Sequence, residues 1–297
     1  MKAINRNQEV IPFIKYLKKN NYSRLTINGY AYGIGVFLRE MKNPSKAAHI
    51  DILRYFSQKT NFSNKSKQRR LLILKKYYDY LIDAGIRETH PCKTFNIRTF
   101  LPKVVLESDL LTKAELESML DDKYYHFEGL KIRNQVIVSL LIFQALTPCE
   151  ITNLKLIDFN WHKKTVFASA GRKLKARELP LEQSQISMIK KYLKGARKKL
   201  ARKKKSEFFI LNFYGVNNRD PTCVEFTIRK MRHLFPDKIL SPKLIRNSVI
   251  SYWLNKKKLP LDQVQLLAGY RLYSSIKNRE TVPIQEEIKS INKWFPL

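Results

Sequence analysis

The sequence predicts a mainly α fold, built as two domains with one small β-hairpin, and three observations carry that reading. Apolar residues recur every three or four positions through most of the 297-residue chain. Only TVFASA (165–170) and RELPL (177–181) read as short strands, joined by a turn region at Gly171. Around Pro102 the helical period is lost, which predicts an extended connection. The expected organisation is a helical domain over 1–95, a linker over 96–111 and a second domain over 112–297.

Each element has its own signal. Val10, Phe13, Ile14 and Leu17 make the first amphipathic helix, over 8–20. Ser23 is a plausible N-cap for a second, through Ile27, Tyr30, Ile34, Phe37 and Leu38. A third fits Ile50–Gln58, and a fourth begins near Ser63–Ser66 and stops at Gly85. Beyond the linker, Thr112 and Glu115 form a capping box for LTKAELESMLDD, and the strongly apolar IRNQVIVSLLIFQALT follows. After the hairpin, residues 182–205 read as a helix with Ile186, Ile189, Leu193, Ala196 and Leu200 on one stripe. FFILNFYG reads as a buried β-like run, and helices with short loops complete the chain.

Composition narrows the function classes. There are 57 Lys+Arg against 25 Asp+Glu, a formal net charge of +32. Residues 1–100 carry 20 basic and 6 acidic side chains, so the excess is spread over both domains. Nucleic acid is the usual polyanion for such a chain, with RNA binding or a Lys-rich proteome as the plainer alternatives. Ten of the sixteen residues 190–205 are Lys or Arg, either a solvated helix face or a phosphate-tracking surface. With 44% hydrophobic residues the chain is no disordered basic tail. Cys92, Cys149 and Cys223 lie far apart, which argues against disulfides and a zinc cluster and fits a reducing cytoplasm. The start has no signal-peptide pattern, and the apolar stretch Val136–Phe143 is far short of the roughly 20 residues a bilayer span needs, so no membrane role is expected.

Several separated motifs now come together. The first domain carries YLKKNNYSRLTINGYAYGIGVFLRE and SKQRRLLILKKYYDYLIDAGIRETHPC. The second carries LLIFQALTPCEITNLKLIDFNW, GRKLKARELPL and LSPKLIRNSVISYWLNKKKLPLDQVQLLAGY. In order and spacing the chain resembles the tyrosine recombinases, the family of phage-type integrases and chromosome-dimer resolvases. The resemblance implies a helical, SAM-like core-binding domain and an α-rich catalytic-type domain that clamp duplex DNA. It also implies a reaction with no metal or nucleotide cofactor. A tyrosine attacks the scissile phosphate, two arginines hold it, a hairpin lysine protonates the leaving oxygen, and histidines assist. Guanidinium pairs suit the extra charge of a phosphorane, and the leaving oxygen needs a donor of reachable pKa.

Carried over residue by residue, most of that set is altered. The first arginine position is Thr147, and the hairpin lysine position is Arg172. Lys243 and Asn247 stand at two histidine positions around the retained Arg246, and Tyr270 stands at a third. The nucleophile position is Arg279, and within this sequence no tyrosine follows Tyr273. Lysine serves as a phosphate contact at the Lys243 position elsewhere in the superfamily, but an arginine of pKa above roughly 12 is a poor proton donor. Glu150 matches the family's structural glutamate.

The expected reading is a DNA-binding protein without strand chemistry. The expected DNA contacts are Arg172, Lys173, Lys175, Lys243, Arg246 and Asn247, with Lys203, Lys204 and Lys205 in the basic run and Arg69 and Arg70 in the first domain. Tyr270 is expected to pack or to touch phosphate. The alternatives are an active recombinase using Tyr273 or Tyr270, and a transcription or replication regulator on the same fold. Tyr273 lies six residues early, roughly 9 Å along a helix. Expected partners are duplex DNA and either an active recombinase of the same mobile element or a second copy of the chain. The partner contact is assigned to residues 284–297, where Ile284, Ile288, Ile291 and Phe295 form a stripe. The expected location is the cytoplasm, at the nucleoid.

Overall fold

The computed structural model describes residues 7–98, 106–125, 128–171, 173–202, 205–217 and 220–277. It divides into two units, Met1–Lys103 and Val104–Leu297, each with its own apolar core.

Among the described residues the first unit has four α-helices: α1 (Asn7–Lys19), α2 (Arg24–Glu40), α3 (His49–Ser57) and α4 (Asn64–Asp83). Serines set the starts of two of them. The Ser23 hydroxyl accepts the Thr26 N–H at 3.2 Å and the Ser63 hydroxyl accepts that of Ser66 at 3.3 Å, each satisfying a donor the helix cannot. Phe13, Leu17, Ile34, Phe37, Ile52, Leu74 and Tyr78 close the core.

The second unit is organised around α6 (Lys131–Phe143). Val136, Ile137, Val138, Leu140 and Leu141 are all fully buried, so this helix is apolar on every side and must be surrounded. Around it stand α7 (Pro148–Asn153), α8 (Gln183–Lys191), α10 (Thr222–Lys230) and α11 (Pro242–Ser251). The short α5 (Lys113–Ser118) starts on the expected capping box, with Thr112 N–H donating to Glu115 at 2.6 Å.

The sheet has three antiparallel strands in the order β1 (Phe159–Asn160), β2 (Thr165–Ala168) and β3 (Arg177–Pro180). Val166 pairs with Leu179 and faces the core, while Phe167 and Glu178 face outward. β1 was not expected. Its two residues are too few to alternate, and the turn after it is made by the Asn160 side chain accepting the Lys163 N–H at 2.9 Å.

Residues 183–201 are helical throughout, but Tyr192–Ala196 is a π-turn between α8 and α9 (Arg197–Ala201). The run FFILNFYG is buried at Phe209, Ile210 and Leu211 as expected, yet it is not a strand. It makes one bridge, Phe208 to Lys155, and the carbonyls of Phe208 to Leu211 accept from side chains. Arg197 donates to the carbonyls of Ser206, Phe208 and Phe209, and Arg133 to that of Leu211. Buried backbone needs partners of some kind, and arginines here replace a neighbouring strand. The π-turn puts Tyr192 and Arg197 in successive turns against this run, and the Tyr192 hydroxyl donates to the Phe209 carbonyl at 3.1 Å.

A second π-turn, Tyr252–Lys256, extends α11, and α12 (Leu261–Ala268) and α13 (Ser274–Lys277) follow. Among the described residues no helix is long and apolar enough to cross a membrane, and no His/Cys/Asp/Glu group is placed to hold a metal ion.

Candidate functional site

Three chain segments meet beside the C-terminal end of α6. The first is Thr147–Pro148–Cys149–Glu150, the start of α7. Thr147 is its N-cap: the hydroxyl accepts the Glu150 N–H at 3.3 Å, and both the hydroxyl and the N–H of Thr147 donate to Glu150 Oε2 at 2.8 Å. Pro148 at the first helical position completes a well-formed start.

The second segment is the loop between β2 and β3. Its turn closes through Gly171 N–H to the Leu174 carbonyl at 3.0 Å. Leu174 then bridges Tyr270, and Lys175 N–H donates to the Gly269 carbonyl at 2.7 Å, so the loop is laced to the end of α12.

The third segment is that helix end itself. Gly269 has φ +72° and terminates α12 in the left-handed conformation that glycine adopts without strain. Its Cβ position is also occupied, because an added Cβ would stand 2.5 Å from Arg177 Nη1.

Two buried arginines hold these segments together. Arg177, at the start of β3, pairs with Glu150 at 2.5 Å and donates through Nε to the Leu267 carbonyl at 2.7 Å. Arg246, on α11, donates to the carbonyls of Ala145 and Ala268, the latter at 2.5 Å. Ala145 carries φ +49° just past α6, and Leu267 and Ala268 end α12. The guanidinium groups therefore satisfy carbonyls that helix ends leave open, where a cation is also favoured by the helix dipole. Arg246 further stacks over the Tyr270 ring, 5.1 Å from its centroid.

Above this frame lies a cavity of about 600 Å³. Thr147, Lys173, Lys243, Arg246, Asn247 and Tyr270 all line it, so six of the residues singled out in the sequence converge. α10 and the turn after it add Phe226, Arg229 and Arg232, which the sequence reading missed. Their spacing of three was the available signal, since it puts them on one side of a helix. Lys173, Arg229, Arg232, Lys243 and Arg246 face one carboxylate among the described lining residues, Glu225. That is a site for an anion.

The remaining expected residues fall elsewhere. Lys175 and Lys205 are exposed and do not line the cavity. Arg69 and Arg70 lie on α4 in the first unit, Arg69 exposed and Arg70 stacked on Phe62 at 4.2 Å. Tyr273 is half exposed and also not on the cavity wall. Arg172, Lys203, Lys204, Arg279 and the stripe over 284–297 lie outside the described residues. Desolvation, with the carboxylates of Glu150 and Glu225 adding, pushes the Cys149 thiol pKa up.

The fold and the motifs point to one family. Residues 109–279 match the model of the phage integrase family, and the chain belongs to that family, the tyrosine recombinases. It is 27% identical over 286 residues to the tyrosine recombinase XerC of Halalkalibacterium halodurans, covering 92% of each chain. Among solved structures it is similar to the XerH site-specific recombinase bound to its difH substrate before cleavage. The TM-score there is 0.69 at 19% identity, over 97% of this chain and 84% of that one. A lambda integrase dimer bound to a core site gives a TM-score of 0.65 at 11% identity, over 90% and 92%.

Proposed function

We propose that this recombinase-family protein binds duplex DNA at the cavity above Arg246 but does not itself break or rejoin strands. It serves as an accessory or structural subunit in site-specific recombination, integration or transposition of a mobile element. The observation that carries the reading is the state of Thr147. Where the family resemblance puts a phosphate-clamping arginine, the chain has a helix cap whose hydroxyl is already spent on Glu150. Arg246, the retained clamp, has its Nη1 and Nη2 engaged by helix-end carbonyls. Four further cations, Lys173, Arg229, Arg232 and Lys243, stand around the cavity, which suffices to hold a phosphate backbone. That the similar solved structures include recombinases on DNA supports duplex as the ligand. In this reading the protein works in the cytoplasm at the nucleoid, beside an intact recombinase or a second copy of itself.

Fluorescence anisotropy with labelled duplex tests the binding half. Affinity should fall steeply as salt rises from about 50 to 200 mM, and Lys173→Ala and Lys243→Ala should each lower the log–log salt slope by about 0.9. A flat titration, or preference for RNA, overturns it.

A further inference from the structure

A second cavity of about 600 Å³ opens at the other end of α6, around residues 128–135. From Gln135, its last lining residue on α6, to the C-terminal end of the helix is about 12 Å, and no lining residue is shared with the first cavity. The established family role does not account for it, and it absorbs part of the basic run that the DNA site leaves unused.

The charge and the backbone of this cavity point the same way. Lys191, Lys199 and Arg202 converge on it from α8, α9 and the residue that ends α9. Among the described residues these three form no ion pair, and Lys131 nearby is paired with Glu128 at 3.4 Å. Glu128 is the one carboxylate among the described lining residues, so the exposed Lys191, Lys199 and Arg202 leave the cavity with an excess of positive charge that an anion would offset. Arg202 also has φ +48° and ψ −129°, a strained backbone for a residue with a side chain, and such strain gathers at ligand sites.

Part of the lining is apolar. Ile132, Ala196 and Leu200 form it beside the buried Gln135, and the π-turn presents Gly195, where a Cβ would meet nothing within 4 Å. Phe213 stands at the rim with its ring nearly half exposed. The loop that carries it is pressed on the end of α9, since a Cβ at Gly215 would fall on the Leu200 carbonyl. Cations beside an apolar stretch of lining and an aromatic ring, in a volume typical of small-molecule sites, match an anion with a flat apolar part.

We propose that this cavity binds a nucleoside phosphate, with its phosphates among Lys191, Lys199 and Arg202 and its base on the apolar lining beside Phe213. The ligand chemistry is the same for a free nucleotide and for the 5′-phosphorylated end of a DNA strand.

The test uses the full chain and ribose-labelled fluorescent ADP without divalent metal. Saturable binding is expected, weakened at least tenfold by Lys191→Ala with Lys199→Ala and at least tenfold by Gly195→Leu. Leucine is the better helix former, so the second variant folds and simply fills the space; its duplex binding should stay within twofold of the parent. Lys190→Ala, an exposed lysine off the cavity wall, is the charge control and should change affinity less than twofold. Competition by unlabelled ADP and by a 5′-phosphorylated single strand of about 15 nucleotides then identifies the source, the tighter competitor being the ligand. Three results overturn the proposal: no saturable binding, a Lys190→Ala loss equal to that of the cavity lysines, or inorganic phosphate competing as well as ADP. Unchanged binding in Gly195→Leu overturns it too.

Discussion

Arg177 Nη1 donates to Glu150 Oε1 at 2.5 Å, with the two side chains only 2% and 5% exposed. This pair joins the hairpin to the helix that opens the site. Glu150 uses its other oxygen to cap through Thr147, so one carboxylate serves both contacts.

Breaking that pair should cost more than any surface change. Arg177→Met leaves the Glu150 carboxylate buried without a cation, a loss of about 3–5 kcal/mol. Adding Glu150→Gln to the same chain should recover part of it, because the uncompensated charge is gone. Urea denaturation measures both, and a single-variant loss under about 1 kcal/mol would contradict the account.

Gly269→Ala should be destabilising for two reasons, the positive φ and the collision with Arg177. The expected cost is about 1–3 kcal/mol. Asparagine separates the two, since it tolerates the left-handed region but still carries a Cβ. If Gly269→Asn is nearly neutral, the close approach to Arg177 is not what the position requires.

Glu115 predicts an acid-sensitive contact. Desolvation alone would raise its carboxyl pKa, but Lys238, donating to both oxygens at 2.7 and 2.8 Å, and the Thr112 N–H outweigh it and hold the pKa below the ordinary value. A carboxyl depressed in the folded state stabilises above its unfolded pKa, near pH 4, and loses that contribution as pH falls through the folded value. Glu115→Gln should therefore flatten the stability curve below about pH 4.5 while costing only about 1 kcal/mol at neutral pH. An unchanged acid limb would show that the pair is idle.

Much of this fold is legible from local pattern. Ser23, Ser63 and the Thr112–Glu115 box mark helix starts within four residues of sequence, and the structure places them there. The 208–215 run shows where that stops: apolar burial was readable, but its partners Arg133 and Arg197 are not strands, and nothing in the run says so. The site is similar. The motifs gathered Thr147, Lys243, Arg246 and Tyr270, whereas the Arg177–Glu150 pair spans 27 residues and Arg246 reaches the Ala145 carbonyl across 101. Contacts of that range leave no periodicity to read. Arg246 stood in its motif as a phosphate ligand, and the structure gives it two helix ends to close as well.

Thr147→Arg tests whether the cap or the clamp matters at that position. Losing the N-cap should cost about 0.5–2 kcal/mol. Arg279→Tyr alone should leave strand cleavage far below that of an intact recombinase, because the phosphate would still lack its first arginine and its proton donor, and members of a catalytic set act as a unit. Efficient cleavage by Arg279→Tyr alone would show that the cavity still holds a working phosphate clamp.

The central claim is binding without chemistry, and one tube can read both. The protein is mixed with a nicked suicide duplex carrying its binding site. Half of the sample is run on a native gel and half on a denaturing gel that retains only covalent protein–DNA adducts. The account predicts a full native shift and no adduct. An adduct whose linked peptide contains Tyr270 or Tyr273 would contradict it and make this chain an active recombinase with a displaced nucleophile.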